Sequence, residues 1–302
     1  MSATWKPTPD PSGFHLSSGP SPISIWIESN RIDECLAYYR DRNLSRISVS
    51  PLMGYFLPDM QFLRDHPYVR GVILPTASQI DVSGLYFLPN LEYLLIADSK
   101  QPIDLTRFKK LRELRAEWHP KLRITSDGQE LRVLDLSKYK PSSKDLTELA
   151  ELPALEDLSI VQSPLTSIRG VGRFRKLKRL ELSYLTKLKL IAAIGELKNG
   201  RLEVLDCQKC KKISDHEAVK SLPSLRVVRF NDCGEIPSIS FLDDMPNLEE
   251  FRFVNTNVVD GDLRPLLRLK SIGFFEKKHY SHSPEEVDEI IAANATESVR
   301  LP

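Results

Sequence analysis

Between residues 44 and 274 the chain repeats the pattern apolar-x-x-apolar-x-apolar eleven times, about every 22 residues. A segment of that length cannot bury its apolar side chains alone, so the repeats must stack. The blocks open with Leu44/Ile47/Val49 and Val69/Val72/Leu74, pass through Leu177/Leu180/Leu182 and Leu202/Leu205/Cys207, and close with Leu269/Ile272/Phe274. Strand side chains alternate between faces, so the fourth and sixth residues of each block point inward and the third, fifth and seventh point outward. Stacking at about 4.8 Å predicts a parallel sheet of eleven strands, roughly 50 Å along its arc, curved by the bulkier return segments so that the outward positions line its hollow side.

The return segments carry a second pattern. An apolar anchor lies three residues before most blocks, as Leu88, Phe108, Leu152, Phe174, Leu222, Met245 and Leu266. Proline follows four of them, as Pro89, Pro153, Pro223 and Pro246, and predicts an extended approach to the strand. Short helices are expected at residues 144–152 and 215–222, the second opened by a capping box of Ser214 and Glu217.

A solenoid exposes its core unless its ends are covered. Residues 22–43 read as the N-terminal cap, a strand through Ile23, Ile25 and Ile27 and a helix at 31–42 with Ile32, Leu36 and Tyr39 on one face. Residues 1–21, rich in Pro and Ser, read as a flexible lead-in with Trp5 and Phe14 as docking points. The repeats then occupy residues 44–279. A closing helix and tail fill 280–302, signalled by an N-cap serine, a proline and two acids at Ser283-Pro284-Glu285-Glu286.

The ninth position of the blocks is filled by Ser99, Ser163, Cys210, Cys233 and Thr256, and four repeats add an apolar residue three places on, for example His119/Leu122 and Cys210/Ile213. In these residues and in the blocks themselves, residues 44–279 resemble the leucine-rich repeat family, in particular its irregular bacterial and cytosolic branch with repeats of about 20 to 25 residues. Leu52, Ala77, Tyr139 and Lys277 depart from the ninth-position pattern, so the asparagine ladder of regular members is absent. The resemblance implies an α/β solenoid and a protein-recognition scaffold.

Composition narrows the function. A net charge of +1 does not suit a surface that tracks nucleic acid. Four cysteines, three at repeat positions, suit a reducing compartment, and no apolar run of about 18 residues marks a membrane span, so a cytoplasmic protein is expected. Cys207-Gln-Lys-Cys210 has redox or metal spacing, but both cysteines fall at core positions of the repeat. Cys210 and Cys233 stand at equivalent positions of adjacent repeats and read as stacked thiols. His279-Tyr-Ser-His282 has no neighbouring ligand set and reads as a polar hinge. Gly170-Val-Gly172 lacks the setting of a dinucleotide loop, and the basic run at 173–179 is interleaved with repeat positions and reads as a solvated turn. No nucleophile arrangement occurs, and neither catalysis nor a cofactor is expected.

The outward positions carry a stronger signal. In the central repeats they hold Glu113, Glu117, Asp135, Asp157, Glu181 and Asp206 against Arg115 and Arg179, four more acids than bases. Tyr93 precedes them, Trp118, Lys138, Tyr139 and Tyr184 lie beside them, and Arg229 and Arg252 continue the fifth-position row toward the C-terminus. Aromatic side chains among charges bury much area with few rotors to freeze, which marks them as contact residues. With Ile73 and Leu95 apolar near the N-terminus, the face is expected to change from apolar to acidic to basic. The function expected is non-enzymatic binding of a protein partner with a basic surface, by a chain monomeric when free, with an immunity protein against a basic toxin as one refinement and an adaptor or regulatory subunit as the alternative.

Overall fold

The computed structural model describes residues 7–9, 11, 13–17, 23–126, 130–198 and 200–298. The chain divides into two compact units, Met1–Leu136 and Ser137–Pro302.

In the first unit the strands are β1 (Pro7–Pro9), β2 (His15–Ser17), β3 (Ser24–Trp26), β4 (Arg46–Ser48), β5 (Gly71–Leu74), β6 (Tyr93–Ile96), β7 (Ile103–Asp104), β8 (Glu113–Glu117), β9 (Leu122–Arg123) and β10 (Val133–Ser137), with helix α1 (Ile32–Asp41) between β3 and β4. Eight of them lie side by side in the order β1-β2-β3-β4-β5-β6-β8-β10. From β3 to β8 the strands are parallel, and Ile25, Ile47, Val72, Leu94 and Leu114 stand in one register row, all fully buried. The lead-in is not all free chain, because β2 extends this sheet antiparallel to β3 and β1 pairs antiparallel to β2. Phe14 packs against Tyr38 of α1 with centroids 4.8 Å apart, under the Arg31 guanidinium; Trp5 lies outside the described residues. In β3, Ser24 and Trp26 are buried as well as Ile25, while Ile23 is half exposed, so both faces of the cap strand are covered.

The second unit holds β11 (Asp157–Val161), β12 (Arg179–Ser183), β13 (Val204–Gln208), β14 (Val227–Asn231), β15 (Glu250–Arg252), β16 (Ser271–Gly273) and α2 (Pro284–Ser298). Its strands pair in parallel in chain order, with Leu158, Leu180, Leu205, Val228, Phe251 and Ile272 in register. Each of the eleven blocks thus forms one strand, and its fourth residue faces the core.

Three devices repeat from strand to strand. The anchors are buried, and each carbonyl accepts the N–H of the leucine that starts its block, as in Leu91 to Leu88, Leu155 to Leu152 and Leu225 to Leu222. That bond closes a β-turn, so the prolines expected in extended chain instead occupy the second residue of a turn, where their φ is already set. At the eighth position the backbone turns left-handed: Asp98, Lys138, Gln162, Tyr184, Lys209, Asp232 and Asn255 all have φ between 52° and 59°. The ninth position then sends its side chain back to the preceding repeat. Cys210 Sγ donates to the Leu182 carbonyl, Cys233 Sγ to that of Cys207, Thr256 Oγ1 to that of Phe230, and Ser163 Oγ to that of Tyr139. Thiols and hydroxyls here satisfy backbone groups that would otherwise be buried unpaired, and all four cysteines are free.

Return segments are 3-10 helices rather than α-helices, for example Val82–Phe87, Ala192–Leu197, His216–Ser221 and Arg264–Arg268. Residues 144–152 form none, because Lys144 is left-handed and the Leu146 N–H donates to Arg169 of the next repeat. The capping box expected at Ser214 and Glu217 does not form. Asp215 turns its carboxylate to the N–H groups of Ile191 and Ala192, Ser214 Oγ donates to the Lys189 carbonyl, and Glu217 pairs with Lys220.

Candidate functional site

Outward positions of the first unit are more covered than their polarity suggests. The row Trp26, Ser48, Ile73 and Leu95 runs in register across β3 to β6, and its first three members are buried. Tyr93 is buried too. The Arg46 guanidinium lies 3.4 Å from its ring centroid and reaches Glu113 at 3.2 Å, so the apolar ring is roofed by a cation held in place by a carboxylate. Burial pushes the Tyr93 phenol above its ordinary pKa. The apolar N-terminal stretch is therefore not an open contact surface at Ile73 and Tyr93. Next along the face, exposed Arg115 lies 2.8 Å from Glu113 and 3.6 Å from Asp135, and Glu117 and Trp118 are half-buried.

In the second unit the residues divide by position. Tyr139, at the ninth position, is buried rather than exposed, and burial pushes its phenol up to about 12. It is a core residue. Lys138 and Tyr184 occupy the left-handed eighth position, which throws their side chains outward, and Tyr184 is 45% exposed. Lys209, on the same position of the next repeat, sits 4.8 Å from the Tyr184 centroid and donates to its hydroxyl at 3.2 Å. The fifth-position row reads Ser159, Glu181, Asp206, Arg229, Arg252 in register. From its C-terminal end inward it is an ion ladder: Arg252 to Glu250 at 3.0 Å, Glu250 to Arg229 at 2.6 Å, Arg229 to Asp206 at 3.2 Å. Glu250, a third-position residue that sequence reasoning did not single out, joins the two arginines. Arg179 and Asp157 pair at 3.7 Å.

The ladder stops at Asp206. Its next neighbour is Glu181, a second carboxylate on the adjacent strand in direct register. Glu181 accepts the Ser183 hydroxyl at 3.2 Å and has no basic partner among the described residues. Asp206 is buried, and its Oδ1 has no hydrogen-bond donor among the described residues. Like charges set side by side on neighbouring strands repel. The contrast lies one edge away, at the second position of the blocks, where Glu156 meets Lys178 at 2.7 Å and Glu249 meets both Arg226 at 2.9 Å and Lys270 at 3.1 Å. That edge neutralises itself; the Glu181 end of the fifth-position row does not.

His279 Nε2 lies 2.9 Å from the Val258 carbonyl, so the histidine pair belongs to the hinge before α2. Among the described residues no group of three or more His, Cys, Asp or Glu side chains could hold a metal ion, and no helix is long and apolar enough to cross a membrane.

No family model and no curated protein matches the sequence. Among solved structures, the chain is similar to an internalin (inlF) from Listeria monocytogenes str. 4b F2365, with 17% sequence identity and a TM-score of 0.53 over 86% of this chain and 84% of that one. It is also similar to the functional domain of InlJ from Listeria monocytogenes, which includes a cysteine ladder, at 13% identity and a TM-score of 0.40, covering 73% of this chain and 56% of that one. The first likeness is one of fold. Together with the in-register apolar rows and the ninth-position bonds, it gives this chain the leucine-rich repeat fold.

Proposed function

We propose that the chain is a non-enzymatic, cytoplasmic protein-binding module, and that the sheet face of its second unit takes a protein partner with a basic surface. The observation that carries this reading is the pairing of Glu181 with Asp206 where the ion ladder ends, beside exposed Tyr184. A lysine or arginine brought there by a partner meets two carboxylates of which only Asp206 already holds a guanidinium, that of Arg229, and an aromatic ring close by supplies apolar contact area. Arg229 and Arg252 at the other end of the row disfavour the same partner in the reverse orientation. A cell that carries a basic toxin needs a binder of this kind, and we favour an immunity role on that ground.

Affinity capture from the native cell, followed by mass spectrometry, is expected to recover one stoichiometric protein that elutes at high salt. Glu181→Lys with Tyr184→Ala should weaken that complex by roughly a hundredfold while leaving the circular dichroism spectrum unchanged. Capture undiminished by this double variant would exclude the surface, and an acidic partner would exclude the charge argument.

A further inference from the structure

A second contact surface lies in the first unit, away from the strands. Residues 51–58, Pro-Leu-Met-Gly-Tyr-Phe-Leu-Pro, carry no charge, and they expose Leu52 by 85%, Phe56 by 78% and Leu57 by 39%. Leu52 stands at the ninth position of its block, where Ser99, Ser163, Cys210 and Thr256 are buried. An apolar side chain at a core position has been turned into solvent.

The loop that does this is held on both sides. Ser50 Oγ accepts the Leu52 N–H at 3.3 Å, and the Ser50 carbonyl accepts those of Met53 at 3.0 Å and Tyr55 at 3.2 Å. Gly54, at φ 90°, makes the turn that a side chain would strain, and its carbonyl accepts the Ser29 N–H at 3.0 Å. The Phe56 N–H donates to Ser29 Oγ at 2.7 Å, Tyr55 is buried, and the Pro58 carbonyl accepts the Asp81 N–H at 2.8 Å. Three large apolar side chains are thus held outward on backbone bonded to the cap on one side and to the next repeat on the other. Such a patch costs solvation in the free protein, and it meets a partner with little left to order.

The charges beside it select the partner. Asp59 and Asp81 stand side by side on adjacent repeats through a parallel backbone bridge; the Asp59 carboxylate accepts the Gln61 N–H, and the Asp81 carboxylate accepts both the N–H and the hydroxyl of Ser83. Neither has a basic partner among the described residues. We infer that the loop at residues 51–58 is a docking knob for a segment of a partner protein that presents apolar side chains flanked by lysine or arginine, an amphipathic basic helix being the simplest form. This goes beyond the sheet-face reading and does not depend on it.

The test uses the full chain and three fluorescent helical peptides of about fourteen residues: leucine and lysine, leucine and glutamate, and serine and lysine at the same spacing. Fluorescence anisotropy should show the leucine–lysine peptide binding roughly tenfold tighter than either control. Leu52→Ser with Phe56→Ser should weaken it at least tenfold. Asp59→Asn with Asp81→Asn keeps the turn caps, and should weaken it severalfold at low salt and little at 0.5 M. Glu181→Lys should leave it unchanged. The inference is overturned if the leucine–glutamate peptide binds as well, or if the serine variants bind like the parent. Loss of peptide binding in Glu181→Lys would place the peptide on the sheet face instead. Concentration-dependent dimers abolished by the serine variants would make the occupant a second copy, and binding to phosphatidylcholine vesicles abolished by them would make it a membrane.

Discussion

Ser283 and Glu286 hold each other: the Glu286 N–H donates to Ser283 Oγ at 3.2 Å, and the Ser283 N–H donates to the Glu286 carboxylate at 2.7 Å. This reciprocal pair starts α2, whose Val287 is fully buried and closes the core behind the last repeat. Ser283→Ala is expected to destabilise the chain by about 1 kcal/mol, and Glu286→Ala by less. Urea denaturation of both variants and of their combination checks it, because bonds made as one box give a double-variant loss smaller than the sum of the two.

His216 predicts an acid limit. Its ring is buried, edge-on to Phe230 with centroids 4.8 Å apart, and burial holds its pKa down at about 4. The unfolded chain binds this proton near pH 6.5, so the stability contributed by the neutral ring is complete above that pH and is lost as pH falls toward 4. The loss reaches roughly 3 kcal/mol. Thermal melts between pH 7 and 4 should show this slope in the parent and a shallower one in His216→Phe.

Thr256 joins two repeats through one hydroxyl, which donates to the Phe230 carbonyl at 2.5 Å and accepts the Cys233 N–H at 2.9 Å. Thr256→Val preserves the shape and leaves both backbone groups unpaired. A loss of about 1–3 kcal/mol is expected. Thr256→Ser should restore most of it, which separates the hydrogen bonds from the packing.

Gln162 sits in a backbone conformation that costs an L-residue roughly 1–2 kcal/mol, at φ 55°. Its side chain is exposed. Gln162→Gly should therefore raise stability by about 0.5–1 kcal/mol once the entropy of glycine in the unfolded chain is allowed for. A lowered melting temperature would mean that the side chain, not the backbone, matters there.

The sequence made the strands legible because the signal is periodic: Leu180 and Leu205 read alike, and they stand in register. It made α2 legible because a cap is written in four consecutive residues. The candidate site was less legible, since outward position does not ensure exposure. Tyr93 is covered by Arg46, which lies two strands away and whose reach no local pattern records. Tyr139 and Leu52 share the ninth position, yet one is core and the other solvent, because Pro51 and Gly54 shape the second turn differently. The ion ladder from Arg252 to Asp206 escaped for the same reason: the charges are visible in the sequence, but which carboxylate is left over depends on who pairs with whom.

The ninth-position bonds all point one way, each later repeat reaching back to the carbonyl of the one before it. A copied repeat inserted into the second unit would bring its own donor and find an acceptor already waiting, with no neighbour needing to be rewritten. Array length is in this sense a free variable of the architecture, adjustable by duplication, whereas the terminal pieces, each made once and fitted to a unique end, are what such growth must leave alone.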